Sequence, residues 1–291
     1  MQLPAPRALA AIVAVAAWPL LLLSAAAILA AGFAAGHATL YFNLSYAWII
    51  VWLVMLERSF PYRQDWRAAD GQMGPDLAHT FLNKGLVQLL IVTVASDGRV
   101  VTGPLSSAPL ALQVLCGLVA SDLGLYWAHR WKHEWPSLWR FHAVHHSVRK
   151  LWLVNTGRFH FVDSFVAVGA SLPGLLLTGI SREAIIWVGA ITAYIGILTH
   201  CNVNMRCGYL SAVFNTPNLH RWHHATDTAI GNHNYGENLV LWDRLLGTYW
   251  NRPADDGTII GIPERMPAGF FAQLAVPFIW RRYQSAPADA A

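Results

Sequence analysis

Long apolar runs alternate with short polar segments along this chain, and the runs predict its architecture. Residues 8–36 form an Ala- and Leu-rich stretch without a charged side chain, and after His37 a second apolar run covers 40–56. A bilayer core of about 30 Å takes roughly 20 helical residues, so the first run spans it comfortably and the second only just. With Arg7 ahead of it the first run has the layout of a secretory signal, but it is longer than a signal's apolar region and more spans follow, so a retained helix is expected. The polar segment 57–76 carries Arg58, Arg63 and Arg67. A third run covers 77–96, interrupted by Lys84, and Asp97-Gly98 begins a turn; a fourth covers 105–128. Runs at 161–180 and 184–199 are separated only by Ser181-Arg182-Glu183, which predicts a helical hairpin. The tail from Ser285 to Ala291 is expected to be disordered.

Charge gives the map an orientation. Placing the amino terminus, the 57–76 loop, the 129–160 segment and everything after residue 200 on one side collects 17 of the 20 Lys and Arg there. Only Arg99 and Arg182 fall opposite, with Lys84 inside a span. Cytoplasmic loops carry the excess of basic residues, so this side is read as cytoplasmic. The net charge of +4 then reflects loop cations and does not indicate a nucleic-acid surface. A composition 55% hydrophobic and 12% charged points the same way, to a multi-pass membrane protein. We expect an all-α integral membrane protein with about four transmembrane helices plus the hairpin. Residues 1–104 would form the amino-terminal membrane helices and basic loop, 105–255 a second unit that includes the fourth run and the hairpin, and 256–291 a carboxy-terminal tail.

Histidine is the anomaly. The chain has 13, and all but His37 and His79 lie between Leu125 and Trp250, on the basic side. The first cluster, Tyr126-Trp127-Ala128-His129-Arg130-Trp131-Lys132-His133, spaces two imidazoles one helical turn apart on one face. The second, Phe141-His142-Ala143-Val144-His145-His146, and the third, Leu219-His220-Arg221-Trp222-His223-His224, both place histidines at i, i+3 and i+4. Thr216 and Pro217 suit the cap and first turn of a helix carrying the third cluster. Eight imidazoles gathered together would repel when protonated and lack partners when buried and neutral, and metal ions resolve both problems. Neutral imidazole suits iron, zinc, copper and nickel alike, but eight ligands exceed what one ion needs and argue for two. Cys116, Cys201 and Cys207 are too few and scattered for a disulfide framework or an iron–sulfur cluster, so electrons would come from elsewhere.

The three boxes, their order and their flanks resemble the fatty acid hydroxylase/sterol desaturase superfamily of integral-membrane di-iron oxygenases. The likeness runs from Asp122 to Tyr249. It includes the stretch from Asp122 through Tyr126-Trp127 to His129-Arg130, the string His142-Ala143-Val144-His145-His146-Ser147, Asn234-Tyr235-Gly236, and the run from Trp242-Asp243-Arg244 through Gly247-Thr248-Tyr249. The resemblance implies a helical membrane bundle under a cytosolic helical cap that holds two iron ions, with zinc able to substitute in purified protein. His129, His133, His142, His145, His146, His220, His223 and His224 would be the core ligands. His200, at the end of an apolar run and followed by Asn202, resembles the family's extra histidine before the third box. His160 falls where relatives show Arg-x-His-Pro and a following acid; here Phe161 replaces the proline and Asp163 stands in for the acid, leaving His160 either a ligand or a support for one. The activity implied is O2-dependent hydroxylation or desaturation of a membrane lipid. A separate electron donor is implied, a ferredoxin or b-type cytochrome with its reductase, and in a bacterial source the membrane would be the inner one.

Several acids are candidates to orient the ligating imidazoles from behind: Asp122, Asp227, Glu237 and Asp243. Asp122 lies two helical turns before His129 inside an apolar run, where a carboxylate is costly; the histidine-orienting role is preferred over a pairing with Arg130. His233 is expected to be structural, and His37 and His79 to be ordinary polar residues at span ends. Trp127, Trp131, Trp135, Trp139, Trp152 and Trp222 are read as an interfacial belt. Rival classes fit less well. A haem cytochrome would place single histidines within spans. A zinc hydrolase would show His-Glu-x-x-His, and His133-Glu134-Trp135-Pro136-Ser137 lacks the second histidine. A metal transporter or storage protein would want ionisable residues along its spans, where only Lys84 and Asp122 qualify.

Overall fold

The computed structural model describes residues 7–96, 103–252 and 258–284. The turn expected at Asp97-Gly98, Arg99, and the tail from Ser285 lie outside the described residues. Helix α1 (Arg7–Ala34) buries Ala14, Ala17, Trp18, Leu21, Ala25, Leu29 and Gly32, a stripe at three- and four-residue spacing. Its opposite face exposes Ile12, Val15, Leu20 and Leu23. Small residues largely inside and branched residues outside reverse the pattern of a soluble helix, and suit a helix that packs on neighbours on one side and meets lipid on the other. Helix α2 (Ala38–Ser59) returns against α1. Both share a core with α7 (Arg182–Thr199), in which Trp18, Leu29, Ile49, Leu53, Tyr194 and Leu198 are buried together. The Ser45 hydroxyl, buried on α2, pairs with that of Tyr194.

Helix α4 (Leu110–Glu134) lies against α6 (Phe161–Leu177) at backbone distance. A Cβ at Gly124 would stand 2.0 Å from the Ala170 carbonyl oxygen, and one at Gly174 would stand 2.3 Å from that of Ala120. Such contact is open only to glycine, and it brings the two backbones together where lipid-soluble helices gain most of their packing energy. Leu118 of α4 joins Ile180, Ile185 and Val188 in a second core that seats the α6–α7 hairpin. At the far end of that hairpin the Gly103 N–H donates to the Gly179 carbonyl at 2.8 Å and the Ser181 N–H to Gln113 Oε1 at 2.8 Å. The hairpin turn and the start of α4 therefore share one end of the bundle, and the histidine boxes sit at the other, as the charge map requires.

Among the described residues four helices are long and apolar enough to cross a membrane: α1, α2, α4 and α7. The number agrees with expectation but the membership differs. Helix α3 (Met73–Ser96), expected as a span, falls outside the set because its first half is polar and buries Asp76, His79 and Asn83. Helix α6, at 17 residues, is shorter than the other apolar helices. Beyond the span ends lies a layer of short helices: α5 (Pro136–His146), α8 (Pro217–His223), α9 (Thr228–Gly231), α10 (Leu241–Leu246) and α11 (Phe270–Ala275). Among the described residues the β contacts are isolated bridges, Pro61 with Val203, Phe214 with Leu239 and Ala225 with Ile260, which pin loops of this layer. The protein is all-α.

The α4–α6 contact is testable. Gly124→Ala should destabilise the protein by about 1–3 kcal/mol through overpacking. Gly169→Ala, on the same α6 but with no atom within 4 Å of the new Cβ, should be neutral or slightly stabilising. Thermal unfolding of both variants in detergent checks the contrast, and equal effects would contradict the packing described.

Candidate metal centre

Four stretches of chain converge at the basic end of the bundle. The last turns of α4 present His129 and His133, and the chain reverses at Trp135 so that Pro136 starts α5. One face of α5 carries His142, His145 and His146, all buried. His200 closes the carboxy-terminal end of α7. Helix α8 contributes His220 and His223, with His224 at its end. Pro217 occupies the first turn of α8 as expected. Thr216 has the extended backbone of a cap, but its hydroxyl pairs with Ser211 Oγ at 2.8 Å and does not cap the helix.

The nine histidines form two groups, His129, His133, His142, His146 and His223 in one and His145, His200, His220 and His224 in the other. Within each group the ring nitrogens lie within 4.8 Å of one another, close enough to hold a metal ion. The His146 and His224 rings stack at 4.2 Å and join the groups. Most of these rings are oriented from behind through Nδ1. His129 donates to the Tyr235 carbonyl at 2.9 Å, His223 to the His233 carbonyl at 2.8 Å and His145 to the Arg158 carbonyl at 3.2 Å. His133 faces Asn232 Oδ1 at 3.2 Å, His142 donates to Asp163 Oδ2 at 2.8 Å, and His200 faces Asn155 Oδ1 at 3.4 Å. A carbonyl or carboxylate can only accept, so each of these rings carries its proton on Nδ1 and turns the Nε2 lone pair inward.

That arrangement leaves buried acceptors facing one another. Nε2 of His129, His133 and His223 has no hydrogen-bond partner among the described residues. In the four-histidine group, Nε2 of His220 lies 2.8 Å from that of His200, and Nε2 of His224 lies 3.2 Å from both His145 and His220. If His220 and His224 carry their protons on Nε2, their Nδ1 atoms, which have no partner, are the unsatisfied ones. No choice of tautomer satisfies the set, and unsatisfied buried nitrogens are expensive. A cation fits instead: imidazole nitrogens about 2.1 Å from one ion stand roughly 3 Å apart. Burial, helped by neighbouring imidazoles or basic side chains, holds His142, His145, His146, His220 and His224 well below the usual histidine range. Burial also pushes His223 down to about 4. The rings are thus neutral, the form that binds metal.

His160 is a correction. It lies outside both groups, its Nδ1 accepts the Val162 N–H at 3.1 Å and its Nε2 donates to the Leu274 carbonyl at 3.2 Å, so no lone pair remains for a metal. Asp122 is a second correction. It orients no histidine and pairs with no arginine; it accepts from the Asn238 N–H at 2.9 Å, the Asn238 side chain at 3.0 Å and the Leu239 N–H at 3.1 Å. Arg130 binds Glu134 and the Tyr126 hydroxyl instead. Asp227 is exposed and caps α9 through the Ala229 N–H, away from any imidazole. Asp243 acts at one remove, receiving the N–H groups of Tyr235 and Gly236 at 2.7 and 2.8 Å and so holding the loop whose carbonyl receives His129. Burial raises Asp243 to about 6 and Glu237, which stands 3.4 Å from His129 Nδ1, to about 7.

Other supports have partners that the sequence did not reveal. Asp163 joins α6 to both Lys132 of α4 and His142 of α5, all three being buried. His79 is no span-end residue. It is fully buried, with Nδ1 to the Phe159 carbonyl at 2.9 Å and Nε2 to Gln273 Oε1 at 3.0 Å. Asn234 adopts φ +58 and binds the Leu219 and Trp250 carbonyls, a left-handed position that asparagine tolerates. Trp131 and Trp135 stack at 5.3 Å and are exposed, as a belt would be, whereas Trp139 packs on the His133 and His146 rings.

Comparison with known proteins now has a geometry to meet. A fatty acid hydroxylase family model matches residues 114–248, which include all nine histidines. Ornithine lipid hydroxylase OlsE of Rhizobium tropici is 47% identical, over 82% of this chain and 76% of its own length. Alkylglycerol monooxygenase of Danio rerio is 32% identical over 56% of this chain and 36% of its own length. Delta(7)-sterol 5(6)-desaturase of Eremothecium gossypii is 34% identical over 48% of this chain and 38% of its own length. No solved structure matches. With a lipid hydroxylase similar over most of its length and a paired histidine site within the matched region, this chain is an oxidoreductase that belongs to the fatty acid hydroxylase family.

Proposed function

We propose that the protein holds two iron ions, one in each histidine group, and uses O2 to hydroxylate an ornithine lipid at the cytoplasmic face of a bacterial inner membrane. The observation that carries the metal reading is the set of buried imidazole nitrogens with no partner, divided between two groups. The substrate reading is supported by the 47% identity to an ornithine lipid hydroxylase. Iron at these positions would supply the reduction of O2 and the removal of hydrogen from an unactivated C–H bond. Zinc, which also suits imidazole ligands, is the expected contaminant of purified protein.

The chain's own residues do the rest. Carbonyls of Tyr235, His233 and Arg158 fix the tautomer and direction of three rings. Asp163 balances the buried Lys132 ammonium and aims His142. The surrounding layer buries the ring nitrogens and keeps the site dry. Electrons are assigned to a ferredoxin or b-type cytochrome with its reductase, because three scattered cysteines, Cys116, Cys201 and Cys207, are too few to hold an iron–sulfur cluster.

Expression in a bacterium that makes ornithine lipid, followed by lipid mass spectrometry, should show the lipid with one added oxygen. The product should vanish with His145→Ala or His223→Ala. A loss of two hydrogens would make the enzyme a desaturase, and an unchanged lipid profile from iron-loaded protein would refute the proposal. Asp163→Asn should lower iron affinity or turnover about 10–100-fold, measured by metal titration and product yield. Metal-free protein should lose stability as pH falls from about 6.5 toward 4. His142, His145, His146, His220, His223 and His224 stay neutral when folded but gain protons when unfolded below 6.5. Asp243, Glu237, Asp163 and Asp76 have raised values and favour the folded state at low pH, but the six histidines outnumber them. A melting temperature that rises on acidification through this window would contradict the buried neutral cluster.

A further inference from the structure

Two helices that supply no histidine to either group, α2 and α3, are nevertheless joined to one of them. Asp76 on α3 is 1% exposed and binds Arg158 at 2.8 Å, and Gln72 accepts from the same guanidinium nitrogen at 2.9 Å. The next residue, Phe159, has its carbonyl held by His79 and by Asn83, also on α3. What this clamp presents is the Arg158 carbonyl, which receives His145 Nδ1, and the Phe159 ring, which stacks flat on His145 at 4.0 Å. At the end of α2, Glu57 Oε1 accepts two backbone N–H groups at 2.8 Å, those of Leu153 and Asn202. Leu153 opens the turn containing Asn155, whose side chain faces His200, and Asn202 is two residues beyond His200.

The five-histidine group is supported differently. Its rings rest on Asp163, Asn232 and the Tyr235 and His233 carbonyls, and Asp243 and Asp122 tie down the loop from Tyr235 to Leu239. These supports all fall between residues 114 and 248, the span of the family match. Glu57 and Asp76 lie outside it.

We propose that Glu57 and Asp76 are positioning residues for the four-histidine group, so that α2 and α3 set the second metal position while the five-histidine group is held from within the matched region. The inference rests on the two-ion reading above. A carboxylate that accepts two backbone N–H groups, or pairs a buried guanidinium, holds a loop more firmly than a neutral group can. Removing its charge lets the loop and the ring behind it turn.

The test uses full-length protein in nanodiscs, titrated with Co2+ alone and read by metal content and visible absorption. Wild type should bind two ions. Asp76→Asn and Glu57→Gln should each bind the first ion as wild type does and the second about 10–100-fold more weakly. Asn83→Ala, a milder change at the same clamp, should shift the second ion in the same direction and covers the case in which a charge variant fails to fold. At cobalt concentrations that fill only the tight site of Asp76→Asn, adding His220→Ala should leave that ion bound, whereas adding His223→Ala should remove it. Variants that bind both ions as wild type does, or that weaken both equally, would overturn the positioning role. A wild-type protein that binds fewer than two ions would overturn the two-ion reading itself.

Discussion

The constraint on which the structure turns is that imidazole has two nitrogens and the protein uses one of them for orientation. Once Nδ1 is committed to a carbonyl or carboxylate, the inward nitrogen must be an acceptor. Converging such acceptors in a dry interior is tolerable only if a cation sits among them. The Tyr235, His233 and Arg158 carbonyls and the Asp163 carboxylate are therefore as necessary to the site as the histidines. The same constraint decides which histidines are left out. His160 gives one nitrogen to the Leu274 carbonyl and the other to the Val162 N–H, and is chemically finished.

Loops that carry such carbonyls need fixing, because a backbone acceptor is only as well placed as its chain. The protein fixes them with buried acids. Asp122 from α4 and Asp243 from α10 receive five hydrogen bonds between them from Tyr235, Gly236, Asn238 and Leu239. A carboxylate inside a span is costly when solitary, but one that receives backbone N–H groups recovers much of that cost and leaves no loop donor unpaired. The polar interior of the layer of short helices is thus a chain of dependence: acid to loop, loop carbonyl to Nδ1, and Nε2 to the shared centre of the histidine groups.

What could be read in the sequence was whatever spacing encodes. His129 and His133, and the two i, i+3, i+4 triplets, predict a helical face directly, and the apolar runs predict the bundle and the side on which the boxes lie. What could not be read was anything carried by backbone, since a carbonyl acceptor has no residue identity. Asp122 was misassigned for a related reason: two turns before His129 it shares a face, but it stands about 10 Å down the axis, where the loop at Asn238 and Leu239 arrives from elsewhere in the chain. His79 gave no signal because its partners, Phe159 and Gln273, are 80 and 194 residues away. Helix α3 misled in the opposite sense, since its apolar second half suggested a span while its first half serves the polar layer.

That double character of α3 bears on where the functional unit ends. A sequence family is delimited by the residues that resemble one another, here 114–248, and such a boundary tracks ligands and their immediate loops. Physical support has no reason to stop there. The guanidinium of Arg158 is buried, and an uncompensated buried charge is strongly destabilising, so it requires a partner. In this fold that partner is Asp76, some 80 residues earlier and outside the matched segment. The boxes describe the chemistry, but a protein cut to the matched residues would leave Arg158 unpaired beside His145 and strip Glu57 from the turn beside His200. Helices α2 and α3 therefore support the loops behind His145 and His200 from outside the matched segment.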